Sequence, residues 1–172
     1  MAHYSFVTRW RIEASLEQVW DAVYQAEQWP RWWKGVEQVL ELESARGENG
    51  VGALRRFTWK SRLPYRLTFQ MRVTRVMPHQ LIESSAEGEL EGTGRWTFSG
   101  NGKETAVRYD WNVRTTKLWM NLLAPVARPL FKWNHDVVMK QGEEGLRRLL
   151  KPALSERSWI NRTGTPASGL CC

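Results

Sequence analysis

The spacing of hydrophobic positions along this chain switches between a period of two and a period near 3.6, and each switch marks an element. Residues 3–14, HYSFVTRWRIEA, alternate: Tyr4, Phe6, Thr8, Trp10 and Ile12 share one face, and Ser5, Val7, Arg9, Arg11 and Glu13 the other. That pattern predicts a half-buried strand. Next comes SLEQVWDAVYQAEQW, with Ser15 as N-cap, Gln18 as its capping-box partner, and Leu16, Val19, Trp20 and Val23 as an apolar stripe. It predicts a helix that Pro30 ends, followed by a short helical turn over PRWWKGV with Pro30 at its first position. From Val36 to Thr116 the period returns to two and predicts six strands, at about 36–44, 51–60, 65–77, 80–90, 93–99 and 104–115. RGENG (46–50), RLP (62–64), MPHQ (77–80), EGTG (91–94) and GNGKE (100–104) supply turn chemistry between them, and connections this short imply antiparallel neighbours.

A long helix over 118–150 closes the pattern, with Phe131, His135, Met139, Gly142, Leu146 and Leu149 at steps of three and four along one face. Gly142 and Gly145 each cost such a helix about 1 kcal/mol relative to alanine. The expected compensation is a close approach of the helix backbone to the sheet. The C-terminal half would then be clamped and the N-terminal half would stand off, leaving a pocket between helix and sheet. Pro125 and Pro129 predict that residues 118–131, LWMNLLAPVARPLF, are kinked or broken and form a mobile lid over the pocket mouth. From Pro152 onward no period remains, so residues 1–151 read as one ligand-binding domain and 152–172 as a disordered tail.

The order strand, two helices, six strands, long helix specifies an α+β fold, a curved seven-stranded antiparallel sheet around the C-terminal helix. Three stretches of the chain then resemble a known family: SLEQVWDAVYQAEQWPRWWKGV (15–36), LPYRLTFQMRVTRVMP (63–78) through ELEGTGRWTFSG (89–100), and FKWNHDVVMKQGEEGL (131–146). They are similar to the SRPBCC or START-like helix-grip superfamily, in particular its bacterial polyketide cyclase/dehydrase branch, and the resemblance covers residues 1 to about 150. It implies the helix-grip fold. For function it implies either the carriage of a hydrophobic molecule such as a lipid, polyketide or quinone, or an aromatase/cyclase- or dehydratase-like reaction.

Composition narrows the partners. The 172 residues include eleven tryptophans and carry a net charge of +7. The basic residues are scattered, and leaving out the three Lys or Arg and the one Glu after residue 150 reduces the net charge to +5. Nucleic acid is therefore not the expected partner, and membrane contact is expected to be transient at most. The only cysteines are Cys171 and Cys172, so neither a disulfide framework nor a metal site is expected, and no cofactor motif occurs. The stretch MAHYSFVTRW has no apolar signal core, and a cytoplasmic monomer or homodimer is the expectation.

Alternation assigns the pocket face strand by strand. It predicts Gln38, Leu40 and Leu42 inward, then Ala53, Arg55, Phe57 and Trp59, then Tyr65, Leu67, Phe69 and Met71. Ile82, Ser84 and Ala86 follow, then Trp96 and Phe98, and finally Val107, Tyr109, Trp111 and Val113. From these, Phe57, Trp59, Tyr65, Phe69, Ser84, Trp96, Phe98 and Trp111 are candidate ligand contacts, joined by Trp119 and Phe131 from the helix. A wall this aromatic suits a planar or polycyclic apolar ligand, or else simply fills a core. Three residues, Arg55, Tyr109 and His135, are candidates for chemistry. Arg55 needs a partner if it points inward, either an anionic ligand group or, through a bulge, water. His135 can bond Tyr109 or a ligand oxygen, act as an acid or base near its ordinary pKa of about 6.5, or serve as a satisfied core residue. No inward Asp or Glu accompanies them.

Overall fold

The computed structural model describes residues 3–60, 66–116 and 124–151, the side chains of 124–127 excepted. Strands β1 (His3–Ile12), β2 (Val36–Glu43), β3 (Leu54–Lys60), β4 (Arg66–Met77), β5 (Leu81–Gly88), β6 (Leu90–Gly100) and β7 (Thr105–Thr115) form one antiparallel sheet in the order β1-β7-β6-β5-β4-β3-β2. The predicted fold class is the observed one. Helix α1 (Leu16–Tyr24) and the short α2 (Trp29–Trp32) follow β1, and helix α3 (Ala124–Leu150) packs on β1, α1 and α2. Ser15 caps α1 through the expected reciprocal capping box with Gln18. This helix stops at Tyr24, earlier than Pro30 suggested, and a 3₁₀ turn over Ala26–Gln28 leads into α2, where Pro30 falls in the first turn.

Three local expectations are corrected. In β2 the buried residues are Val36 and Val39, whereas Gln38, Leu40 and Leu42 are exposed. Val36 pairs with Trp59 and Gln38 with Thr58, so Glu37 is an extra, bulged residue that flips the parity of the strand. EGTG is not a turn, because β6 runs straight through it and the chain reverses at Gly88, whose φ of +112° only glycine adopts readily. Gly92 instead lets β7 come close, since a Cβ there would lie 2.0 Å from the Asn112 carbonyl oxygen. Third, α3 is continuous through Pro129, and Pro125 is its second residue, where the missing N–H costs little. The lid residues 118–123 and the tail 152–172 lie outside the described residues.

The core runs between the sheet and the helices. Trp10, Ile12, Val19, Val23, Trp33, Val107 and Leu146 are fully buried in it. Helix α3 buries Val138, Met139, Gly142, Gly145 and Leu146, while Leu149, expected on this face, is exposed where the helix runs off the core. The two glycines face α2 and not the sheet. A Cβ on Gly145 would lie 1.9 Å from the Trp32 carbonyl oxygen, and one on Gly142 would lie 2.4 Å from the Trp33 indole. The Trp33 Nε1–H locks this contact by donating to the Val138 carbonyl at 2.8 Å. Bare helix backbone is thus what allows two consecutive tryptophans to be buried beneath α3.

Candidate functional site

Beyond the glycine clamp, the N-terminal half of α3 roofs a cavity of about 140 Å³ over the sheet. Its floor is an aromatic stack on β6 and β7: Trp96 on Tyr109 at 4.1 Å between ring centroids, and Tyr109 on Trp111 at 5.7 Å. Leu67, Phe69 and Met71 of β4 and Trp59 of β3 extend the floor, Trp29 and Trp33 close one end, and Tyr4 and Phe6 of β1 meet the roof residues Phe131, Asn134, His135, Val138 and Met139. The floor is open because β6 carries Gly94. A Cβ there would come within 2.6 Å of the Tyr109 hydroxyl and 3.0 Å of the Trp111 ring. No Asp, Glu, Lys or Arg lies on the described lining.

Five of the ten proposed ligand contacts lie on this cavity. Trp59, Phe69, Trp96, Trp111 and Phe131 line the cavity together, as do the candidates His135 and Tyr109. Phe57 lies one layer behind, stacked on Phe69 and tilted against Trp29. Ser84 is buried in β5 away from the lining, and Phe98 packs under α1 against Trp20. Tyr65 and Trp119 lie outside the described residues. Arg55 is also off the lining: its guanidinium is held by Glu27 of the 3₁₀ turn and lies 3.8 Å from Glu41. It needs neither a ligand anion nor a bulge, because the chain supplies its carboxylates. Asn134, Trp29 and Trp33 were not foreseen. Phe131, Asn134 and Val138 recur at i, i+3 and i+7, so the helical period does contain Asn134, on the stripe beside the one that was followed.

The polar groups of the lining are electrically quiet. His135 stacks on Phe6 at 4.3 Å and, 14 % exposed, makes no hydrogen bond through either nitrogen; the carboxylate of Asp136 is 3.6 Å from Nδ1, beyond bonding distance. The hydrogen bond to Tyr109 is not formed. Burial lowers the pKa of His135 to about 4, far from the ordinary value, so the imidazole is neutral at pH 7. Burial also raises the Tyr109 hydroxyl well above the usual tyrosine range, and that of Tyr4 less strongly. At neutral pH the site offers neutral donors and acceptors in an aromatic shell.

A family model for polyketide cyclase / dehydrase and lipid transport matches residues 12–139. The chain belongs to this family. Among solved structures, the family member aligns with the Zhui aromatase/cyclase from a Streptomyces species at a TM-score of 0.73 and 12 % identity, covering 91 % of this chain and 99 % of that one. A START superfamily protein from Mycobacterium smegmatis aligns at 0.69 and 14 %, covering 87 % and 97 %. The di-domain ARO/CYC BexL aligns at 0.67 and 19 %, covering 88 % of this chain but 51 % of BexL, so this chain spans about half of that protein. At these identities the likeness establishes the fold. No curated protein matches the chain in sequence. Among the described residues no helix is long and apolar enough to cross a membrane.

Proposed function

We propose that this member of the family binds and carries a small hydrophobic, ring-containing ligand in the cavity between α3 and the sheet, without covalent chemistry. The observation that carries this reading is a lining, largely of aromatic rings, that holds no charged side chain among the described residues and leaves neutral polar atoms unpaired. Apolar walls with a few placed polar groups are what a ligand pocket presents. The cavity volume of about 140 Å³ resembles that of an engineered apolar cavity, roughly 150 Å³, that takes benzene. One ring therefore fits as it stands, and a fused polycycle requires the roof to move. The same reading takes residues 1–151 as one ligand-binding domain, in the cytoplasm, as a monomer or homodimer that touches membranes only transiently.

A polyketide cyclase- or dehydratase-type reaction is the second reading, since His135 and Tyr109 line one cavity. A base with a pKa of about 4 is poorly matched to proton abstraction at pH 7, and no carboxylate on the described lining replaces it. Native mass spectrometry of protein purified without denaturation tests the carrier reading. A non-covalent small-molecule adduct, released unchanged in mass, is expected. Bare protein that also fails to bind toluene in calorimetry refutes the reading.

A further inference from the structure

Four side chains on this dry lining hold polar atoms that have no partner. The Tyr4 hydroxyl, Trp59 Nε1, Asn134 Oδ1 and both ring nitrogens of His135 are buried and make no hydrogen bond. Unpaired buried groups forfeit their hydration without return, so such a concentration calls for a partner that the folded chain does not provide. Three of the four gather in one place. Tyr4 packs edge-on against Phe131 at 5.7 Å and Phe6 stacks on His135, so Tyr4 and His135 lie where β1 faces the first half of α3, and Asn134, next to His135 in the chain, lines the same cavity. Trp59 stands apart on β3.

The chemistry of the three defines what they accept. Neutral imidazole offers one donor and one acceptor, the Asn134 oxygen is an acceptor, and a phenol is both. A hydroxyl group, itself donor and acceptor, matches all of them. A carboxylate donates nothing to the Asn134 oxygen and needs a cation in a water-poor site. The described lining holds none; Arg128, whose charge acts on Tyr4, is exposed near the start of α3 and is not on the lining. The geometry points to Tyr4, Asn134 and His135 as a polar anchor that selects a neutral hydroxylated ring, a phenol in preference to a plain arene or an aromatic carboxylate. This inference rests on the cavity being a ligand site.

Calorimetric titration of the full chain at neutral pH with three one-ring probes, phenol, toluene and benzoate, tests the inference. Phenol is expected to bind about tenfold more tightly than toluene, the return on one or two net hydrogen bonds, and benzoate most weakly. In Asn134→Leu and in His135→Phe, the latter keeping a ring against Phe6, the phenol-to-toluene affinity ratio should fall to about twofold or less. Equal binding of phenol and toluene by the unaltered protein would overturn the anchor while leaving the cavity reading intact. So would a ratio that survives both substitutions, and so would benzoate binding most tightly. If none of the three probes binds, the ligand-site reading itself fails and takes the anchor with it.

Discussion

Replacing Gly145 by alanine sets two effects of opposite sign against each other. Helix propensity alone predicts that Gly145→Ala stabilises the protein by about 1 kcal/mol. Packing predicts the reverse, because the new Cβ would sit 1.9 Å from the Trp32 carbonyl oxygen, whereas ordinary contact begins at 3.4 Å. The obstacle is backbone and cannot rotate away, so α3 and α2 must separate by about 1.5 Å, the difference between those two distances. Overpacking of this kind costs up to about 3 kcal/mol. Separation also stretches the 2.8 Å bond from Trp33 Nε1 to the Val138 carbonyl, worth about another 1 kcal/mol. Net destabilisation is about 3 kcal/mol, which for a domain of this size lowers Tm by roughly 6–12 °C. Thermal melts followed by far-ultraviolet circular dichroism measure it, with the exposed neighbour Glu144→Ala as the control. A Tm that is unchanged or higher would refute the clamp, because propensity would then have outweighed contact.

Three further outcomes are expected. Gly94→Ala should lower toluene affinity at least tenfold, since its Cβ would push on Tyr109, Trp111 and Met71; calorimetry that shows unchanged binding would put the ligand elsewhere. His135 has a pKa of about 4 when folded and 6.5 as its ordinary value, so the unfolded chain binds a proton that the folded one refuses. Stability should therefore fall as pH drops from 6.5 to 4, by roughly 3 kcal/mol from this residue. Denaturant melts of His135→Phe across that window should lack this share of the loss, and parallel curves for both proteins would contradict the buried neutral imidazole. Arg55→Gln should lower stability by about 1 kcal/mol, because Glu27 loses its ion pair but is about one-third exposed and rehydrates, while leaving toluene affinity unchanged; a large loss of affinity would restore Arg55 to the site.

The alternating strands were legible because their parity is unbroken. In β1 and β7 the inward residues are the predicted ones down to Tyr109, Trp111 and Val113, and the cavity floor follows from them. Parity failed where a single residue intervened, at Glu37, since a bulge leaves no mark in a polar, charged edge strand. Glycine was the more instructive failure. Gly92 and Gly94 share a composition with turns, yet they serve close strand pairing and open floor space. Gly142 and Gly145 were rightly read as a close approach, but to the wrong neighbour, because no local pattern says which distant surface will press against a bare helix. Arg55 was rightly marked as needing a partner. That partner, Glu27, is twenty-eight residues away in a turn, and only the tertiary fold joins the two. Asn134 escaped because a neighbouring stripe of α3 also faces the cavity.

The buried indoles at the closed end of the cavity have an optical consequence. The Trp33 ring lies 5.3 Å from Trp10, 5.1 Å from Trp29, 5.4 Å from Trp32 and 5.2 Å from Trp59, with Trp96 at 6.3 Å. Chromophores at such separations share their excited states, so light absorbed by one is delocalised or handed on among the set. Four of them, Trp29, Trp33, Trp59 and Trp96, also touch the cavity. A guest there perturbs the whole array at once, and the protein reports its own occupancy through its near-ultraviolet emission and dichroism, with no label attached.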